Sequence, residues 1–314
     1  MDLIKTPIEN FVFEGGGVKG AVYAGCMQVM DEHGLFDQVK RVAGTSAGFI
    51  TAALLAVGAG SKGLTATILD SNFNKFIYDR GGILFDVFRV FGYYGIHSGN
   101  SFLKILKGYF QQYGGDANMT FGQLGEHLAR DPARYKDLYV VASDISSQKP
   151  KVFSIEHTPD IPIWMAVRAS MSIPVLFKPF KIKGDYFVDG GLSWNYPIDI
   201  FDARRDDGSK IYNQATLGFF LEPQSLVKDG PNFNPPRMQI NSLKHAMEAM
   251  VAFASDNSNA DHIHPEDAMR TVFVDNLGVS ATDFSIRKAK IKELIASGRK
   301  ATTTFLLANG VGAA

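Results

Sequence analysis

One serine of the chain stands in a pattern typical of catalytic nucleophiles. Gly44-Thr45-Ser46-Ala47-Gly48 matches G-x-S-x-G and lies between a predicted strand and a predicted helix. A sharp turn at this place holds a hydroxyl clear of the sheet, and small neighbours let the chain bend and the substrate approach. Ser46 also begins the predicted helix, whose dipole favours developing negative charge. We therefore predict that Ser46 is a nucleophile, with Gly44 and Gly48 supporting its turn.

A run of glycines follows the first predicted strand, as Gly15-Gly16-Gly17-Val18-Lys19-Gly20. Successive glycines let several backbone N–H groups point into one concavity, which suits an oxyanion, and Lys19 adds a positive charge nearby. The same residues fit the dinucleotide fingerprint G-x-G-x-x-G, which requires an acidic residue about 20 positions further on. The next predicted strand ends without one. A P-loop is excluded because no Gly-Lys-Ser/Thr follows.

A third motif, Asp189-Gly190-Gly191, ends another apolar strand. Taken alone, Asp-Gly is typical of a turn closed by an Asx hydrogen bond. However, ligands and catalytic groups in open α/β sheets gather at the carboxyl ends of the strands. Because each of the three motifs follows a predicted strand, we expect them to converge on one site.

In this order, the three motifs resemble those of the patatin-like phospholipase family. The resemblance covers G-G-G-x-K-G at 15–20, G-T-S-A-G at 44–48 and D-G-G at 189–191. The small residues at 169–174 and the closing segment 283–307 are also similar to bacterial members. The resemblance therefore extends over most of the chain.

The resemblance implies a serine–aspartate dyad. Ser46 would attack an ester carbonyl while Asp189 accepts its proton, and the same carboxylate would then activate the water that releases the fatty acid. An aspartate with a pKa of about 3.9 is a weak base, so we expect burial to raise the pKa of Asp189. The implied oxyanion hole consists of the backbone N–H groups of Gly15, Gly16, Gly17 and Val18. The implied supporting residues are Lys19, Gly20, Gly44, Gly48, Gly190 and Gly191.

The implied activity is that of a serine carboxylic ester hydrolase of phospholipase A or lysophospholipase type. Its substrate would be a phospholipid or another fatty-acyl ester, met by peripheral contact with a membrane surface. No metal or organic cofactor is implied, because serine, aspartate and backbone amides suffice. Some bacterial members that resemble this chain stay idle until a protein activator binds, so a latent effector whose main role is binding is an alternative.

A second alternative is an esterase of the α/β-hydrolase type with a Ser–Asp–His triad. The chain order permits it, with Ser46 and Asp189 followed by His245, His262 or His264. The glycine run argues against it, since it lies only about 30 residues before Ser46. The residues around these histidines, including Asp261, Glu266 and Asp267, favour a polar surface turn over a metal site.

The composition excludes several other classes of protein. The chain has 314 residues, of which 46% are hydrophobic, so it can form a sizeable core. Its 32 Lys and Arg residues balance 32 Asp and Glu residues, so the chain lacks the net positive charge that is typical of nucleic-acid-binding proteins. The single cysteine, Cys26, rules out an internal disulfide. That cysteine and an N-terminus without a signal-like apolar run favour the cytoplasm, or export without a cleaved signal.

The elements that must position the motifs alternate between strands and helices. Apolar strands are predicted at 11–13, 39–43, 138–143, 151–155, 186–188, 216–221 and 270–275. Helices are predicted at 21–32, 49–57, 163–170, 240–254 and 285–307, the last with a break near Gly298. This alternation predicts a single α/β domain over residues 1–314, a three-layer sandwich with a mostly parallel central sheet flanked by helices.

Two segments have an unusual composition. Residues 42–61 carry no charge, but their strongly apolar part spans only 49–57, which predicts a buried helix of a soluble protein rather than a membrane span. Residues 73–113 are crowded with Phe and Tyr, among them Phe85, Phe88 and Phe91. An aromatic core is one interpretation of this stretch. The other, which we favour, is a lid or an acyl-pocket insertion.

Overall fold

A computed structural model describes residues 7–71, 95–97, 99–222, 239–241, 249–250, 252–254, 258–259 and 264–311. Its strands are β1 (Asn10–Phe13), β2 (Arg41–Thr45), β3 (Gly95–His97), β4 (Asp137–Asp144), β5 (Lys149–Phe153), β6 (Val175–Phe177), β7 (Phe180–Ile182), β8 (Asp185–Asp189), β9 (Ala203–Arg204), β10 (Lys210–Ile211), β11 (Thr216–Glu222) and β12 (Thr271–Asp275). Its α-helices are α1 (Val22–Glu32), α2 (Ser46–Ala56), α3 (Gly60–Asp70), α4 (Asn100–Gly114), α5 (Phe121–Arg130), α6 (Ile163–Ser170) and α7 (Lys288–Ala308). Short 3-10 helices span Gly17–Ala21, Phe36–Gln38, Gly190–Leu192 and Pro265–Arg270.

The central sheet has the strand order β12-β11-β1-β2-β4-β8-β7, and β5 also pairs with β4. The strands from β12 to β4 are parallel to their neighbours, whereas β5, β7 and β8 pair in antiparallel fashion. Helices flank the sheet, so the predicted α/β class is confirmed. Most of the strands predicted from apolar runs are present within about two residues of their expected bounds.

The core lies mainly on one face of the sheet, because side chains alternate along each strand. Phe11 and Phe13 of β1 point into the larger apolar cluster, where both rings pack on Phe219 of β11 at centroid distances of 5.4 and 5.2 Å. Val12 points to the opposite face and packs in a smaller cluster with Tyr196 and others. Both faces of β1 are therefore buried, which fixes the strand that leads into the glycine run.

The uncharged segment forms strand β2 and helix α2. Ten of the eleven residues of α2 are buried, and a helix that is apolar all round belongs in a core. This confirms the buried helix expected within residues 42–61. No helix in the described part of the chain is long and apolar enough to cross a membrane.

The predicted break near Gly298 is wrong, because α7 runs without interruption from Lys288 to Ala308. Gly298 serves close packing instead. A Cβ atom on Gly298 would overlap the carbonyl oxygen of Val22, and one on Gly25 would overlap that of Ile295. The two glycines let α1 and α7 approach almost backbone to backbone, as the helix crossing requires.

The strand pairing explains how two motifs meet. Thr45 of β2 pairs with Val141 of β4, and the next residue of β4, Ala142, pairs with Asp189 of β8. Ser46 and Asp189 therefore lie at the same level on either side of β4. Unlike β1 and β2, which pair in parallel, β8 runs antiparallel to its neighbour β4. The motifs still converge, because β8 ends at Asp189, which pairs with Ala142 of β4.

Part of the aromatic stretch lies outside the described residues. This holds for Phe85, Phe88 and Phe91, and also for most of the helix predicted at 240–254. Residues 95–97 form β3, which pairs with β6, and residues 100–114 form α4. Phe102, Leu106 and Phe110 of α4 are buried, which anchors this helix in the core.

Candidate active site

Ser46 occupies a strained turn between β2 and α2. Its φ angle is +51°, in the left-handed region that costs a residue with a side chain about 1–2 kcal/mol. The Ser46 N–H donates to Ser170 Oγ at 2.9 Å, and that hydroxyl in turn donates to the carbonyl oxygen of Val141 at 2.6 Å. Helix α6, which ends at Ser170, thus holds the elbow in place against β4.

Glycines are required on both sides of this serine. A Cβ atom on Gly44 would lie 2.7 Å from the carbonyl carbon of Gly48, and one on Gly48 would overlap the carbonyl oxygen of Glu14. The turn therefore packs directly on the end of β1, where the glycine run begins. This contact brings the serine and glycine motifs together.

Asp189 is the buried acid of the site, with 6% of its surface exposed. Its Oδ1 accepts a hydrogen bond from the Gly191 N–H at 2.8 Å. Its Oδ2 is buried and accepts no hydrogen bond of regular geometry from the described residues. The Ser46 hydroxyl nevertheless interacts with the carboxyl closely enough to favour its charged form.

Burial dominates the electrostatics of this acid. Loss of water raises the pKa of Asp189 from 3.8 to about 6, although the hydrogen bonds from Ser46 and Gly191 act in the opposite direction. The rise has the direction expected from the sequence. A carboxylate with this pKa is ionised at neutral pH and is a stronger base than an exposed aspartate.

The glycine run has two available N–H groups rather than the predicted four. The Gly15 N–H donates to the carbonyl oxygen of Asn195 at 3.1 Å, and the Val18 N–H donates to that of Ala281 at 3.0 Å. Both are therefore already occupied. Within the described ranges no acceptor takes the N–H of Gly16 or Gly17, and both residues are half-exposed. The candidate oxyanion hole is thereby narrowed to these two groups.

The other motif residues support the loops. Lys19 is half-buried, and its Cε lies 3.4 Å from the position that a Cβ of Gly16 would take. Gly20 packs on Ala47, next to the serine. A Cβ on Gly190 would overlap the carbonyl oxygen of Val141, so this glycine lets the loop after Asp189 lie against β4.

An apolar cavity of about 60 Å³ lies beside the serine elbow. Helices α2, α3 and α4 line it with residues spaced by three or four positions: Ala47, Ile50, Thr51 and Leu54 of α2; Leu64, Thr67 and Ile68 of α3, with Ser71 just after it; Phe102, Ile105, Leu106 and Tyr109 of α4. Gly17, Gly20 and Ala21 complete the wall. Since Ala47 directly follows Ser46, the cavity wall begins one residue after this serine.

Histidines do not take part in the described site. None of the histidines within the described ranges contributes to the environment of Asp189. His264 is exposed and precedes a 3-10 helix, where its N–H donates to Asp267 at 2.9 Å, and that carboxylate also binds Arg270. His245 and His262 lie outside the described residues. In the part of the chain that the structure covers, no cluster of acidic, histidine or cysteine side chains could hold a metal ion.

The chain is similar to known proteins over most of its length. The family model described as "Patatin-like phospholipase" matches residues 11–202. YqhO of Bacillus subtilis is 30% identical over 94% of this chain and 97% of its own length. An intracellular phospholipase A2 of Caenorhabditis elegans is 27% identical over 82% of this chain, which spans 24% of that protein. The crystal structure of VipD from Legionella pneumophila shares the fold, with a TM-score of 0.65 and 19% identity over 97% of this chain and 67% of VipD.

The chain therefore belongs to the patatin-like phospholipase family. The match includes the glycine run, the serine elbow and Asp189, so the motifs recognised in the sequence lie in the matched region. Membership supports hydrolysis of lipid esters as the general activity.

Several residues of the site carry no obvious signal in the sequence. Glu14 and Asn195 are buried and bonded to one another, and Ala281 accepts the Val18 N–H from a distant loop. The one signal for these contacts is the position of Glu14, a charged residue between an apolar strand and a glycine run. A glutamate buried at such a place needs polar partners.

Proposed function

We propose that this protein hydrolyses fatty-acyl esters of phospholipids through a dyad of Ser46 and Asp189. The observation that carries the proposal is the isolated pairing of these two residues. Ser46 stands on a strained elbow at a helix N-terminus, and among the described residues the buried carboxyl beside it has only this hydroxyl and the Gly191 N–H as hydrogen-bonding neighbours. A base of this kind acts on the serine directly, with no histidine between them.

The reaction has two halves with one base. Asp189 Oδ2 accepts the Ser46 proton while Oγ bonds to the ester carbonyl carbon, and the carbonyl oxygen becomes an oxyanion beside the N–H groups of Gly16 and Gly17. Collapse breaks the ester C–O bond, and the leaving alcohol takes the proton from Asp189. A water molecule then gives its proton to the same carboxylate and attacks the acyl-enzyme. The fatty acid leaves, and Ser46 recovers its proton.

The apolar cavity supplies the site for the acyl chain. It runs along α2 from Ala47 to Leu54, and the seven steps between these residues extend about 10 Å at 1.5 Å each. Phe102 and Tyr109 of the aromatic stretch line it, which supports a role of residues 73–113 in acyl binding. An acyl chain here would lie with its carbonyl carbon at Ser46. Phospholipase A type specificity is supported by the similarity to the nematode phospholipase A2, of which this chain spans 24%.

The test is hydrolysis of a short-chain chromogenic ester and of phospholipid vesicles. Four proteins are compared: the wild type, Ser46→Ala, Asp189→Asn and a triple variant with alanine at His245, His262 and His264. The proposal requires loss of about 10³-fold or more in kcat for the first two variants and full activity in the third. Ser193→Ala, a nearby hydroxyl bonded to Ser143, is the matched control and should stay active.

Each alternative gives a different result. Loss of activity in the histidine variant, together with Ser46→Ala and Asp189→Asn, would replace the dyad by a Ser–Asp–His triad. A wild type that becomes active only after addition of a cell lysate would establish the latent, partner-activated form. Activity on the chromogenic ester without any on phospholipid would contradict phospholipase specificity.

A further inference from the structure

Glu14 is a buried carboxylate at the point where the chain leaves the sheet. It directly follows β1, and 4% of its surface is exposed. Its Oε1 accepts hydrogen bonds from Asn195 Nδ2 at 2.9 Å and Asn259 Nδ2 at 2.8 Å, and its Oε2 accepts one from the Leu221 N–H at 2.7 Å. Burial of a carboxylate is costly unless donors replace the lost water. Three donors do so here.

In the sheet, the Glu14 carboxylate takes the place of the Glu14 backbone carbonyl as a hydrogen-bond acceptor. The Glu14 N–H donates to the carbonyl oxygen of Phe219, as in a parallel ladder. The next bond of such a ladder would join the Leu221 N–H to the carbonyl oxygen of Glu14. That carbonyl instead accepts the Tyr23 hydroxyl at 2.6 Å, and the carboxylate takes the Leu221 N–H. The chain can therefore turn out of the sheet at Gly15 without leaving a buried strand N–H unpaired.

Asn195 joins this turn to the loop that carries Asp189. It lies six residues after Asp189 and is buried. Its side chain donates to Glu14, its carbonyl oxygen accepts the Gly15 N–H at 3.1 Å, and its own N–H donates to Ser258 Oγ at 3.1 Å. Asn195, in the loop after Asp189, thus bonds to both Glu14 and Gly15. We call residues 15–20, the glycine run, the glycine loop.

We propose that Glu14 and Asn195 are positioning residues that hold the glycine loop in register with Ser46 and Asp189. Neither residue is assigned contact with the substrate. Their bonds fix Gly15, whose neighbours Gly16 and Gly17 carry the two available N–H groups. Because an oxyanion donor acts only at the right distance from the developing charge, loosening this clamp lowers the rate of the chemical step more than it weakens substrate binding. The inference rests on the proposed function.

The test uses a reciprocal exchange of the two polar groups. Asn195→Asp places a carboxylate against Glu14, and Glu14→Gln removes the acceptor for at least one donor. The double variant, Glu14→Gln with Asn195→Asp, restores one amide-to-carboxylate bond with the same net charge. Asn10→Ala is the control, since it removes a buried amide from the opposite end of the same strand, where Asn10 binds Thr216 at 3.1 Å.

Two measurements are made on each variant. Steady-state kinetics on the chromogenic ester give kcat and KM, and amide hydrogen exchange is followed by mass spectrometry on a peptide that covers residues 14–21. We expect each single variant to lose about 100-fold in kcat with KM changed less than about threefold. Amide hydrogen exchange in residues 14–21 should be faster in each single variant than in the wild type. The double variant should recover at least about tenfold in kcat, and Asn10→Ala should change neither quantity while lowering the melting temperature.

The opposite results overturn the proposal. An Asn195→Asp variant with wild-type exchange and wild-type kcat shows that no clamp exists. Equal loss of kcat in Asn10→Ala, or a double variant no better than the worse single variant, shows a general loss of stability instead. If the wild type hydrolyses no ester, the proposed function fails, and the exchange data alone still decide whether the two residues hold the loop.

Discussion

Replacing Asp189 by asparagine should stabilise the protein at neutral pH while abolishing ester hydrolysis. In the folded protein the pKa of Asp189 is raised from 3.8 to about 6 by burial. The folded state therefore binds more protons than the unfolded state between these two values, and stability is lost as the pH rises through this range. At about 1.36 kcal/mol per pH unit, the ionised carboxylate costs the folded state up to about 3 kcal/mol above pH 7.

Asparagine has the same shape, can still accept the Gly191 N–H and carries no charge. We expect the free energy of unfolding of Asp189→Asn in urea to exceed that of the wild type by about 1–3 kcal/mol at pH 7.5. The difference should shrink as the pH falls, and should be close to zero at pH 4, where both side chains are neutral. Asp185→Asn, at the exposed start of the same strand, is the control and should show no such trend. A gain that is equal at both pH values, or a loss at pH 7.5, would refute the reasoning.

Three further predictions concern catalysis, the cavity and the helix crossing. With a base of pKa about 6, kcat/KM at pH 5 should be about one tenth of its value at pH 7; a flat profile from pH 5 to 9 would contradict this. Ile50→Phe, which fills the cavity, should lower kcat/KM about tenfold or more for an octanoyl ester and little for an acetyl ester. Leu69→Phe, outside the cavity, should alter neither, and equal losses on both esters would argue against an acyl site. Gly298→Ala should destabilise by about 1–3 kcal/mol in thermal unfolding, whereas Gly108→Ala, with open space around it, should stabilise by up to about 1 kcal/mol. Stability changes of the same sign in both variants would disprove the close crossing of α1 and α7.

The sequence was sufficient to predict the elements and residues whose signal is local. The elbow at Ser46 depends on neighbours within two positions, and the apolar runs of β1, β4 and α6 mark them directly. The direction of β8 also has a local signal that the strand analysis overlooked. Lys183 and Gly184 have φ angles of +50° and +109° and join Ile182 to Asp185, which is typical of a two-residue hairpin.

Other features could not be predicted, because their partners are distant in the sequence. Glu14 binds Asn195 and Asn259, which lie 181 and 245 positions away. Neither hydrophobic periodicity nor motif spacing in the sequence indicates a contact over such a distance. The hydrogen bonds of the Gly15 and Val18 N–H groups have the same origin, since their acceptors are the carbonyl oxygens of the distant Asn195 and Ala281. The break assigned to Gly298 failed because a glycine in a helix marks close packing as well as a helix end.

The long reach of the Glu14 bonds has a consequence for the biosynthesis of the protein. All three motifs lie before residue 202, where the family match ends. Their arrangement nevertheless requires Leu221, Asn259 and Ala281, which leave the ribosome later. A nascent chain that already carries Ser46 and Asp189 therefore lacks a formed glycine loop. The loop can therefore take its final arrangement only after most of the chain has emerged and folded.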